Sequence, residues 1–148
     1  MSTDSDVTAD LMQVLEDGKH GYAKGAEKLT DTKRPDLAQV FQGYTEQRAT
    51  FVTELQELAR SYGDQISESG TIVASLHRGW MSLKDALAGS SPTGVLDTAE
   101  QGEDHAVKAY DEALKADLSA GLRTVVARQA DAVKAAHDRI KSLRETEG

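Results

Sequence analysis

The chain has 148 residues, with 17 Lys and Arg against 25 Asp and Glu, a net charge of −8, and no Cys. That length suits one domain over residues 1–148, large enough to bury roughly two thirds of its unfolded surface. The missing Cys excludes disulfides, thiolate nucleophiles and Cys-based zinc sites, and the acidic balance argues against nucleic acid as a partner, since phosphate binding needs a basic surface.

The N-terminus, Met1 to Asp6, is acidic and lacks the basic-then-apolar order of a secretory signal. No apolar run approaches the ~18 residues that span a bilayer. The expected address is the cytoplasm, with no membrane partner. Five helical segments follow, and no strand pattern interrupts them.

The first segment covers about 5–30. Val7, Leu11, Val14, Leu15, Gly18, Tyr22, Ala26 and Leu29 form one stripe at the ~100° advance of an α-helix. No carboxylate is expected on that stripe. Glu16, His20, Ala23 and Glu27 share the opposite, solvated face, which is free to pack on a copy of the chain. Gly18, Gly21 and Gly25 lie inside the helix, where each costs about 1 kcal/mol relative to Ala. Close approach of a large side chain explains Gly18 and Gly25, and Trp80 is the partner expected there.

The second segment, 35–62, opens at Arg34-Pro35, since Pro suits the first helical turn. Its stripe is Leu37, Val40, Phe41, Tyr44, Phe51, Leu55, Leu58, Ala59 and Tyr62. Arg48 lies within ~30° of the stripe's centre. Gly63 is placed to end the helix in a left-handed cap. The third segment, 71–89, carries Ile72, Val73, Leu76, Trp80, Leu83 and Leu87, with His77 at the edge.

The fourth segment, 92–116, starts with Ser91 as N-cap and Pro92 at the first helical position. Leu96, Ala99, Gly102, Ala106, Tyr110, Ala113 and Leu114 make its stripe, and Glu103 sits among them. His105 points outward. The last segment, 119–146, presents Leu122, Val125, Val126, Val133, Ala136, Ile140 and Leu143, with Gln129 at the centre. His137 is ~70° off that centre. Short connections between one-sided helices give an all-α, antiparallel four-helix bundle. In it the third and fourth segments form one long helix, broken near Gly89–Pro92.

Arg48, Glu103, Gln129 and Tyr110 therefore form a polar set on apolar faces. Buried charges need opposite charges or a metal. One reading is an Arg48–Glu103 ion pair completed by Gln129. The other is a metal site of Glu100, Glu103 and His137, with Tyr110 and Gln129 behind them, for iron or manganese. A di-iron carboxylate bundle takes a Glu-x-x-His from each of two helices, and no such motif exists here. The residues three before His20, His77, His105 and His137 are Asp17, Ala74, Gly102 and Lys134. A Gly-rich phosphate loop, a Gly-x-Ser-x-Gly elbow and a His-Glu-x-x-His motif are also absent.

Four phrases carry a resemblance. They are Asp17-Gly18-Lys19-His20-Gly21-Tyr22, the run Leu76-His77-Arg78-Gly79-Trp80-Met81-Ser82-Leu83-Lys84, the run Glu100-Gln101-Gly102-Glu103-Asp104 with Tyr110, and His137-Asp138-Arg139-Ile140. Together they resemble the bacterial ferritin-like four-helix-bundle proteins grouped as a domain of unknown function. The resemblance implies a ferritin-like bundle and brings no catalytic residue with it. A position taken elsewhere in that family by a thiol, just before Glu100, is Ala99 here.

Two functions are compatible with these residues. The first is a non-catalytic bundle, acting in a stress setting or as a partner-binding module, with a protein or a second copy as partner. The second is a metal-binding protein or oxidoreductase built on Glu100, Glu103 and His137. Arg48 separates them, because a cation beside Glu103 disfavours a divalent metal there. No short helix follows the last long one, so a symmetric storage cage is not expected.

Overall fold

The computed structural model describes residues 3–61 and 91–147, and these form four helices. They are α1 (Thr3–Asp31), α2 (Pro35–Ser61), α3 (Pro92–Lys115) and α4 (Ala120–Glu147). No strand occurs among the described residues. The expected all-α four-helix bundle is the observed architecture. The segment 71–89, with Trp80 and His77, lies outside the described residues, as does the cap expected at Gly63.

Local chemistry sets the helix ends. Ser91, with extended backbone, accepts a hydrogen bond from the Gly94 amide at 3.2 Å, and Pro92 follows at the first position. So α3 begins at the expected cap; the segment it was expected to continue, 71–89, lies outside the described residues. At the other end of α3, Arg123 reaches back to donate to the Leu114 and Ala116 carbonyls, at 2.9 and 2.6 Å. Those carbonyls lack intrahelical partners, and a cation suits the negative end of the helix dipole.

Helix α1 stops at Lys33, whose φ of 62° is left-handed. The Arg34 amide donates to the Leu29 carbonyl and the Lys33 amide to the Thr30 carbonyl, the paired bonds of a Schellman termination. A side chain in that conformation is strained where Gly is not. Lys33→Gly is therefore expected to stabilise the fold by about 0.5–1 kcal/mol, measured as a higher urea midpoint with unchanged slope. A loss of stability would show that the Lys33 side chain matters more than its backbone.

The order of the helices follows from contacts between them. α1 packs on α2 and α3, and α4 packs on α3 and, more thinly, on α2. Asp4 accepts from the Ser119 amide at one end of the bundle, while Arg34 binds Glu147 at the other. Gly25 meets Val95 near that second end. Neighbouring helices are thus antiparallel. α2 and α3, on the diagonal, run the same way, so Ser61 and Ser91 lie at opposite ends of the bundle.

The stripes read from the sequence for the four described helices point inward. They divide into two apolar clusters. One contains Leu11, Leu15, Phe51, Leu55, Tyr110, Leu122 and Val126, and the other Tyr22, Leu29, Leu37, Phe41, Leu96 and Ile140. Between them, near mid-height, lie Arg48 and Glu103, with no exposed surface.

The glycines in α1 do permit close approach; Trp80, the partner expected there, lies outside the described residues. A Cβ on Gly18 would come within 3.2 Å of an Arg48 guanidinium nitrogen, and one on Gly25 within 2.5 Å of the Phe41 ring. Among the described residues, the large partners at these glycines are Arg48 and Phe41, both from α2, the helix α1 packs on most extensively. The stripe of α1 carries no carboxylate, but one lies buried beside it. Asp17 is buried, because α1 has two neighbours and so hides a wider arc than one stripe describes.

Candidate functional site

The polar waist is built by α2 and α3 from diagonal corners. Arg48 Nη1 donates to Glu103 Oε1 at 2.7 Å, and Nη2 to Oε2 at 2.6 Å. This two-pronged geometry matches the guanidinium fork to the carboxylate. Arg48 Nε donates to the Gln47 side chain at 3.2 Å. The guanidinium carbon lies 5.5 Å from the centre of the Tyr22 ring, within the range of a cation–π contact. Tyr22 in turn meets the Phe41 ring edge-on at 5.1 Å.

Gly18 makes room for this arrangement, since its missing side chain leaves the space that the Arg48 head occupies. Burial alone would push the Arg48 pKa down, but the Glu103 charge and its hydrogen bonds outweigh burial and hold it above the ordinary value. The guanidinium stays charged. Burial, followed by the nearby Glu103 carboxylate, raises the Tyr22 phenol well above its usual value. Tyr22 stays neutral at any physiological pH.

A second branch runs from the surface into the cluster that contains Leu11 and Leu55. Arg128 donates to Glu54, Glu54 accepts from the Gln129 amide at 3.1 Å, and Gln129 Oε1 accepts from the Tyr110 hydroxyl at 2.7 Å. Burial pushes Glu54 up, but hydrogen bonds from Arg128 and Gln129 outweigh it and lower its pKa overall. Tyr110 is raised, chiefly by burial. Gln129 is therefore satisfied by Tyr110 and Glu54, not by the Arg48–Glu103 pair.

The three residues read as metal ligands do not come together. Glu103 is engaged at both oxygens by Arg48. Glu100 is half-buried and accepts from Arg144 Nε on α4. His137 is bound at Nε2 to Asp104 at 2.6 Å and at Nδ1 to Asp138 at 3.1 Å. α3 and α4 are neighbours, as a ligand role for His137 requires, yet the imidazole reaches Asp104 instead of Glu100 or Glu103. Burial lowers the His137 pKa, but Asp138 and Asp104 outweigh it and raise the value overall. Among the described residues, no group of three His, Asp or Glu side chains is placed to hold a metal ion.

Reading the sequence missed Glu54, Arg144, Tyr22 as a neighbour of the pair, and Asp17. For Glu54 a signal existed: it lies three residues after Phe51 and one before Leu55, at the edge of the apolar arc. Arg144 carried none, because its partner is set by the packing of α4 on α3.

What this arrangement does chemically is lock a cation and an anion together in a buried layer. A neutralised pair offers no free base, nucleophile or open coordination position. The profile of a domain of unknown function (DUF2383) matches residues 5–116, most of the described bundle. No curated protein matches the chain. Among the described residues, no helix is long and apolar enough to cross a membrane.

Proposed function

The chain belongs to the DUF2383 family, and from that membership we propose that it is a ferritin-like bundle with a structural core, working through its outer surface on a protein partner. The ferritin-like reading is supported by helix direction. α2 and α3 run the same way, as they do in bundles with one long crossover connection.

One observation carries the non-catalytic reading: the buried anion that a metal would need is already neutralised by Arg48 at 2.7 and 2.6 Å. A divalent cation at Glu103 would have to displace a guanidinium of like charge. Glu100 and His137 would also have to leave Arg144 and Asp104. The surface, by contrast, is dense in charge, and the chain's net charge of −8 favours a partner with a basic face.

Elemental analysis tests this reading. Protein expressed with added iron and manganese, then desalted, is expected to hold far less than one metal per chain. A stoichiometric metal that is absent from the Arg48→Met, Glu103→Leu double variant would assign chemistry to the core. Affinity capture gives the complementary test. The double variant is expected to retain the same bound proteins as the native chain, since the Arg48 and Glu103 side chains present no exposed surface. Loss of those proteins would return the function to the waist.

A further inference from the structure

Asp17 is the buried titratable group that neither the ion pair nor the Tyr110 branch uses. It keeps 7% of its surface and lies on α1 beside a pocket of about 10 Å³ that opens between α1 and α3. Gly18, Arg48, Gly102, Glu103 and His105 share the lining. The volume is about that of a single water. Among the described residues no side chain pairs with Asp17, and burial is the one influence on its ionisation.

We propose that Asp17 is a proton-operated latch on the α1–α3 seam. Protonated, it closes the pocket as a neutral group. Ionised, its proton passes to solvent, water enters to solvate the carboxylate, and α1 loosens from α3. The inference does not depend on the partner-binding reading above.

Among the described residues, the groups facing Asp17 cannot neutralise its charge. On α2, Arg48 is committed to Glu103 at both prongs. On α3, Glu103 is committed in return, Asp104 is turned to His137, and His105 stands exposed at the rim. On α1 itself, Glu16 pairs with Lys19, His20 is exposed one turn on, and Asp10 lies two turns back beside Asp6. A carboxylate that forms here without a partner must draw in water. The pocket that Gly102 lines beside Asp17 is where that water would enter.

The sign is fixed by linkage. Burial raises the Asp17 pKa from 3.8 to about 7. Between those values the folded chain keeps a proton that the unfolded chain has lost. Stability is therefore full below the lower value, falls as pH rises through the interval, and levels off above the upper one.

The test uses the whole chain and its Asp17→Asn variant. Carboxyl carbon NMR is expected to show Asp17 titrating near neutrality. Amide exchange at residues 14–18 and 102–106, corrected for its intrinsic pH dependence, is expected to speed up by at least about tenfold between pH 5 and 8, the factor carried by one pH unit of linkage. In Asp17→Asn that acceleration is expected to vanish. His137 contributes equally in both proteins, so the difference isolates Asp17. Titration below pH 5 would overturn the proposal. So would titration near neutrality with exchange accelerating equally in both proteins. If the variant does not fold, the native chain still decides: the exchange rise must follow the measured Asp17 titration.

Discussion

Replacing Arg48 by Met alone is expected to cost about 3–5 kcal/mol of folding stability, because it strands the buried Glu103 carboxylate without its partner. Glu103→Leu alone is expected to cost a similar amount by stranding the guanidinium. A melt of a chain this size moves by roughly 2–4 °C per kcal/mol, so each single change lowers the midpoint by about 6–20 °C. The double replacement is expected to cost less than about 1 kcal/mol, since two charges no longer need to be desolvated and the new side chains fill similar volume. The cycle therefore predicts a large favourable coupling between the two positions. Additive losses would show that the two groups do not support each other, against the bonds of 2.7 and 2.6 Å that join them. The double variant has a second expected property. The pair is where the two apolar clusters meet, and it pins α2 to α3 across the diagonal. With an apolar waist, the helices lose a directional contact that sets their relative height. Its amide spectrum is expected to be broader than that of the native chain at equal stability.

Much of this bundle is legible from periodicity, because a helix wheel reports which residues are apolar on one side and where a polar residue intrudes. Arg48, Glu103 and Gln129 stand out for that reason, and all three are fully buried. The ends of α2 and α3 are legible because Pro35, Ser91 and Pro92 act locally. What a wheel cannot report is which face meets which neighbour. Gln129 is central on its stripe, but whether it completes the Arg48 pair or joins Tyr110 depends on the height at which α4 packs. Glu100 and His137 are set apart for the same reason, each turned to a charge on the facing helix. Asp17 escapes notice because one stripe is too narrow for a helix with two packed neighbours. The glycines of α1 show the same limit. Their spacing announces a close approach, and only the packing of α1 on α2 names Arg48 and Phe41 as what approaches.

Phe41 gives the other large effect. Its ring is fully buried, lies against the backbone of α1 at Gly25 and receives the edge of Tyr22 at 5.1 Å. Phe41→Ala is expected to cost about 3–5 kcal/mol, through lost transfer energy and the cavity left behind. Gly25→Ala in the native background places a methyl 2.5 Å from that ring. Overpacking of this kind costs about 1–3 kcal/mol, against a gain of about 1 kcal/mol from replacing Gly in a helix interior, so the net change is destabilising. The signs are expected to reverse once the ring is gone. In a Phe41→Ala background, Gly25→Ala keeps its helix propensity, meets no ring and partly fills the cavity. It then stabilises by about 0.5–1 kcal/mol. Chemical denaturation of the four proteins reads both values. A Gly25→Ala effect with the same sign in both backgrounds would mean that Gly25 is kept for something other than Phe41, and the close packing of α1 on α2 at this level would need another explanation.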